Sequence, residues 1–171
     1  SMAMVQYLVN EYNGPLTPPS VKDSALMANL WAWCNDYYSF VLSPLHDIIT
    51  GHNEVFWRNL RLTDTLENTG KEQALNNLKA LHDKRINFLE NYLKKSGAVN
   101  FMINDNCSYA DIFLFTCVRA VQKCAGFGEF REIYGSDPFI NREAISQICT
   151  NVESINVISE TVGTKFEECP I

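Results

Sequence analysis

Along most of the chain apolar residues recur three and four positions apart, while strict alternation is almost absent, so the pattern predicts helices and no sheet. "MAMVQYLVNEYNGP" reads as a short helix from about Met2 to Tyr12, stopped by Asn13-Gly14-Pro15. "PLTPPS" follows at residues 15–20 as an extended linker, because each proline biases the residue before it away from the helical region. Ser20 and Asp23 then make a capping-box pattern. Beyond it Ala25/Leu26, Leu30, Trp33, Tyr37 and Phe40/Val41 form one apolar face of the next helix. Pro44 predicts an end or a kink, with a second piece running to Thr50 before Gly51.

From Thr63 to Gly70 the chain is polar and loop-like. A helix is predicted from about Lys71 to Lys95, with Leu75, Leu78, His82, Ile86, Leu89 and Leu93 sharing one side. Lys94 and Lys95 suit the negative end of its dipole, and Gly97 is a fair terminator. After Asn104-Asp105-Asn106 comes a helix of about Ser108 to Cys124, apolar nearly all round and therefore enclosed by its neighbours. A last helix is predicted over Asn141 to Ser159, with Ile145, Ile148, Val152 and Ile155 turned inward. The fold class is all-α, a helical bundle, with no internal repeat.

One carboxylate stands at the edge of the most apolar of these segments. Ser108 is placed to cap the helix start with its hydroxyl, and Asp111 to reach back to the Ser108 amide. Cys107 and Ile112 then sit at the positions of a hydrophobic staple. A buried helix cannot rely on water for its first amides, so Ser108 and Asp111 read as a structural capping box and not as a catalytic pair.

Composition narrows the class. At 171 residues the chain suits one domain, and 46% hydrophobic with 20% charged residues excludes wholesale disorder. A net charge of −6 with scattered Lys and Arg offers no general field for nucleic acid or an anionic membrane. No apolar run approaches the ~20 residues that span a bilayer. The six cysteines form no CxxC pair and have no histidine at ligand spacing, so no metal site is expected. Reduced thiols without a secretory signal favour the cytoplasm.

Several side chains carry chemistry in principle. His82 interrupts an apolar stripe and reads as a hydrogen-bonded core or boundary histidine. His46 beside Asp47 and His52 beside Asn53 have no nucleophile in view. Arg119, inside an enclosed helix, needs an acidic partner or a route to water, and a structural ion pair is expected. "EVFWRNLRL", Glu54 to Leu62, reads either as a partner-facing patch or as a helix packed on the bundle.

"NCSYADIFLF" resembles the capping box and staple of the cytosolic glutathione transferases: Ser or Thr, any residue, Ala, Asp, then apolar residues. In that family the motif opens the central helix of an all-helical C-terminal domain. Asn104 stands where the family commonly has glycine in the preceding turn, and Asn tolerates the left-handed conformation. "SMAMVQYLVNEY" is similar to the family's Ser-x-Ala-Ile-x-x-Tyr-Leu segment, the last helix of its thioredoxin-like domain. The resemblance implies residues 1–14 as the end of a thioredoxin-like domain, 15–20 as a linker and 21–171 as the helical domain.

It also implies a function. The intact protein would conjugate glutathione thiolate, its cosubstrate, to an apolar electrophile, while this chain alone would be inactive. The activating Tyr, Ser or Cys would lie in the thioredoxin-like domain, so the catalytic residue stays unknown. Ser1 aligns with a serine that contacts the γ-glutamyl carboxylate of glutathione, although Ser1-Met2 reads equally as a cloning remnant. Trp33, Tyr37, Tyr38 and Phe40 lie on the helix that lines the family's electrophile pocket, and an aromatic stripe at this spacing also suits plain core. A homodimer fits the family; nucleic acid and membrane are not expected partners. The alternative is a non-catalytic assembly module of the translation machinery, of the elongation factor 1 gamma-subunit or aminoacyl-tRNA synthetase type. "FINREAISQICTNVESINVI" resembles that gamma-subunit loosely.

Overall fold

The structure is a computed structural model, described at residues 4, 7, 11, 16–18, 20–50, 68–103, 105–124 and 128–155. Beyond residue 20 the described residues include six α-helices: α1 (Val21–Tyr37), α2 (Ser43–Thr50), α3 (Asn68–Ser96), α4 (Tyr109–Cys124), α5 (Gly128–Tyr134) and α6 (Glu143–Glu153). A π-helical stretch, Tyr38–Leu42, joins α1 to α2, and no strand occurs among the described residues. Helix α4 packs against both α1 and α6, and α3 runs against α2, α5 and α6, so the expected all-α bundle forms around α4.

Residues 4, 7 and 11 are helical, and residues 16–18 are not. The remainder of the expected first helix, Ser1, Asn104, His52, the Glu54–Leu62 segment and the tail beyond residue 155 lie outside the described residues.

Helix α1 starts as its sequence dictates. The Ser20 hydroxyl accepts from the Asp23 amide at 3.1 Å and donates to the Asp23 carboxylate at 2.6 Å. Its buried stripe is Met27, Leu30, Cys34 and Tyr37, continued by Val41 of the π stretch, which corrects the expected face. Leu26 and Trp33 flank this stripe half-buried, whereas Ala25 and Phe40 are exposed. The difference is a rotation of under one position, which periodicity alone does not resolve when apolar residues stand on both flanks.

Pro44 interrupts the helix without ending it. A proline ring clashes with the carbonyl four residues back. The chain answers with the wider π turn just upstream, where the Ser43 amide donates to Tyr38 O, five residues back. The second piece then runs to Thr50 as its pattern predicts.

Helix α3 begins at Asn68, three residues before the expected start, because a polar Asn-Thr-Gly run suits a helix's first turn as well as a loop. Its stripe is as read: Leu75, Leu78, His82, Ile86, Leu89 and Leu93 are all buried. Gly97 ends it with φ +72°, and the Ala98 amide donates to Leu93 O at 3.2 Å, a left-handed cap that favours glycine.

Helix α5 has no counterpart in the periodicity, being only seven residues long. It buries Phe130 and Tyr134, one turn apart and stacked at 4.1 Å. Helix α6 is shorter than expected at both ends. Asn141 takes a left-handed φ of 63°, which delays the start to Glu143. At the other end the Ser154 hydroxyl donates to Asn151 O at 2.7 Å and Ile155 closes a tight turn onto Val152 O, so Ile155 lies past the helix, half-buried.

Candidate functional site

The best-defined polar site is the start of α4. Ser108 is the cap: its hydroxyl accepts from the Asp111 amide at 3.4 Å and donates to Asp111 Oδ2 at 2.5 Å, while its own amide donates to Oδ2 at 2.8 Å. The other oxygen, Oδ1, accepts from the Met102 amide at 2.7 Å. Asp111 is fully buried, and burial pushes its carboxyl above the usual range, opposed by these hydrogen bonds to the anion. Every oxygen is occupied by a group that positions backbone. The site is a clamp that binds the helix start to the loop before it, and the Met102 bond is a part of it that the local pattern does not reveal.

A second polar chain threads the core between α1, α3 and the segment before α6. Tyr37 is fully buried beside His82 Nδ1 at 2.7 Å, and His82 Nε2 lies 3.0 Å from Pro138 O. A carbonyl can only accept, so Nε2 carries the proton, leaving Nδ1 to accept from the Tyr37 hydroxyl. Burial pushes the Tyr37 phenol well up and lowers the His82 imidazole, so both groups are neutral at physiological pH. His82 is thus the hydrogen-bonded core histidine its stripe suggested.

The aromatic residues of α1 and the π stretch after it divide between two flanks. On one, Trp33 stacks on Tyr37 with centroids 5.6 Å apart and planes within 6°. Phe40, seven residues beyond Trp33, is exposed, with the Arg85 guanidinium carbon 5.5 Å above its ring. The structure therefore brings Trp33 and Tyr37 together, encloses Tyr37, and leaves Phe40 in solvent. On the other flank Trp31 meets Phe113 at 4.5 Å and Tyr109 at 5.3 Å, and exposed Tyr38 reaches Phe113 at 6.4 Å. Of this second cluster the sequence reading had Tyr38 alone and missed Trp31, although Trp31 and Tyr38, seven apart, lie on one helix face.

Glu90 was also missed. It is buried on α3, where its carboxylate accepts from the Ala144 and Ile145 amides at 3.0 and 3.1 Å and faces Lys94 at 3.1 Å. Burial pulls its carboxyl up, yet the two amides and the ammonium outweigh this and hold it below its ordinary value. A glutamate one turn before a lysine, among leucines, was the available signal. Arg119 has the structural pairing expected of it, with Glu153, Gln122 and the Phe115 ring. His46 lies 3.7 Å from the Asp47 carboxylate.

The described cysteines are free thiols, four buried and Cys107 half-buried. Burial pushes Cys107, Cys117 and Cys149 up to about 12 and Cys124 up to about 11, which makes them packing groups and not nucleophiles. Among the described residues no cluster of His, Cys, Asp or Glu could hold a metal ion, and no helix is long and apolar enough to cross a membrane.

Compared with known families, residues 56–142 match the family described as glutathione S-transferase, C-terminal domain. No curated protein and no solved structure matches the chain.

Proposed function

This chain belongs to the glutathione S-transferase C-terminal-domain family, and on that premise we propose that it is the acceptor-shaping part of a protein that joins glutathione thiolate to an apolar electrophile. In this reading a thioredoxin-like domain joined to it binds glutathione and lowers the thiol's pKa, since the thiolate is the attacking species. The helical domain holds the acceptor, and fixing two reactants in one orientation supplies much of the rate.

The Trp33–Tyr37 stack carries the reading. Its inner ring is pinned by His82 while its outer ring is half-exposed, which offers a flat apolar acceptor a preorganised wall. Phe40 would offer an acceptor a further exposed ring, and Arg85 over it would supply positive charge where an acceptor gains negative charge. Tyr37 acts as a positioning residue, because its hydroxyl is already committed to His82. Ser1 would contact the glutathione carboxylate, on the strength of its resemblance alone. A cytoplasmic homodimer completes the proposal.

The full-length protein should be retained on immobilised glutathione and should conjugate it to an aromatic halide. Trp33→Ala should raise the acceptor KM several-fold and leave retention on glutathione unchanged. Absence of both retention and conjugation would overturn the enzyme reading and favour an assembly module of the translation-machinery type.

A further inference from the structure

The connection Gly135–Arg142, between α5 and α6, is held to the bundle in an unusual way. Its own turns satisfy much of its backbone: Phe139 N–H donates to the Asp137 carboxylate at 2.9 Å, Ile140 N–H to Asp137 O at 3.2 Å, and Arg142 N–H to Phe139 O at 3.0 Å. Gly135 N–H donates back to α5, and Arg142 O accepts from α6. Among the described residues, its hydrogen bond to any other helix is the one that His82 Nε2–H donates to Pro138 O. The Phe139 ring meets the His82 ring edge-on at 5.3 Å, and Pro138 and Phe139 are buried.

That latch works in one protonation state. Neutral His82 donates to Pro138 and accepts from Tyr37, with 1% of its surface exposed. Adding a proton turns Nδ1 into a donor. The Tyr37 hydroxyl must then accept, and its own hydrogen, in a fully buried position, is left without an acceptor. Among the described residues the new charge also meets no unpaired carboxylate. Around it stand Tyr37 from α1, Lys79 and Asp83 from α3, Tyr134 from α5 and Arg142 from the connection, with the Cys117 and Cys124 thiols of α4 facing the Tyr37 end. Asp83 is the carboxylate of this set, and it is already paired with Lys79 at 2.6 Å.

Relief requires water at His82, and the connection is what covers it. Among the described residues two buried side-chain polar atoms have no partner, Tyr134 Oη just before this segment and Arg142 Nε at its end. Opening the segment hydrates both along with the imidazolium. Gly135 at φ +81° and Asn141 at φ +63° bracket it with residues suited to backbone rearrangement.

We propose that Gly135–Arg142 is an acid-released strap: neutral His82 latches it onto the α1–α3 pair, and protonation unlatches it while α1, α3 and α4 stay folded. This is independent of the transferase reading. The sign follows from burial, which lowers the imidazole's pKa in the closed form against the opposing pulls of Pro138 O and Asp83. The latch is therefore at full strength above the ordinary imidazole value of ~6.5 and is lost as pH falls from there through the lowered value.

Hydrogen exchange on the full chain at pH 7.5 and 5.5, corrected for the intrinsic pH dependence, tests it. Protection of residues 135–142 should fall at the lower pH by up to about tenfold, the ceiling set by one pH unit below the open-state imidazole value, while residues 109–124 keep theirs. His82→Gln, which can still donate to Pro138 but cannot titrate, should abolish the change. In the unmodified chain the NMR titration of the His82 ring should share its midpoint with strap opening, which keeps the test decisive if the variant misfolds. Unchanged strap protection, differing midpoints, equal loss over residues 109–124, or a pH response that persists in His82→Gln would each overturn the proposal.

Discussion

Ser20–Asp23 and Ser108–Asp111 are the same four-residue motif in two environments, and the comparison isolates what burial adds. The first pair is at the surface, where water can replace a lost side chain, so Ser20→Ala should cost about 1 kcal/mol. Asp111→Ala would strand the amides of Ser108 and Met102 in a buried site, at about 2–4 kcal/mol together. Urea denaturation of both variants checks this, and equal losses would mean that Asp111 is no more than an ordinary cap. Both boxes were legible because a cap lies within four residues of sequence. The Met102 bond was not, since nothing in a one-dimensional pattern tells which loop amide folds back onto a carboxylate nine residues later. Tyr37 shows the same limit: its place in an apolar stripe was readable, whereas its commitment to His82 spans 45 residues.

At the scale of elements, α6 starts without a side chain of its own. Arg142, at its cap position, makes no capping hydrogen bond, and the amides of Ala144 and Ile145 are satisfied by Glu90 from α3. One helix thus caps another, and the anion also sits at the positive end of the α6 dipole. The Glu90 carboxyl is held below its ordinary 4.5. Its contribution is therefore present above that value and lost as pH falls through the lowered folded-state value. Stability measured between pH 6 and pH 3 should drop in the unmodified chain by more than in Glu90→Gln, which is already weakened at pH 6. Parallel curves would show that Glu90 is not the group responsible. Lys94→Ala should matter little, because that ammonium is exposed to solvent. Element ends were the least readable feature. Asn68-Thr69-Gly70 looked like loop and is helix, and the stretch up to Ser159 looked like helix but turns at Ser154, where side-chain hydroxyls compete for backbone carbonyls.

For the whole molecule, α4 is the rod on which the bundle is assembled. It meets α1 closely enough that the Cys34 thiol lies 4.0 Å from Ala110 O, and it presents Leu114, Val118 and Val121 to the same core. The thiols of Cys117, Cys124 and Cys149 are part of this packing. With their pKa values pushed up to between about 11 and about 12, alkylation near pH 8 should proceed only as fast as the bundle opens. Mass mapping of iodoacetamide adducts against time, with and without urea, measures this; rapid labelling of these three in native buffer would contradict their burial.

What the sequence determined by itself is the set of helices with long apolar stripes, their local caps and the family pattern around Ser108. Each depends on residues within a turn or two of one another, where spacing maps directly onto geometry. Only the tertiary structure decided that Asp111 holds Met102, that Glu90 caps α6, that Pro44 is absorbed by a π turn, and that His82 joins Tyr37 to Pro138. Those bonds depend on which surfaces meet after packing, and a buried polar group takes whichever partner the fold brings within reach, however far away it lies in the chain.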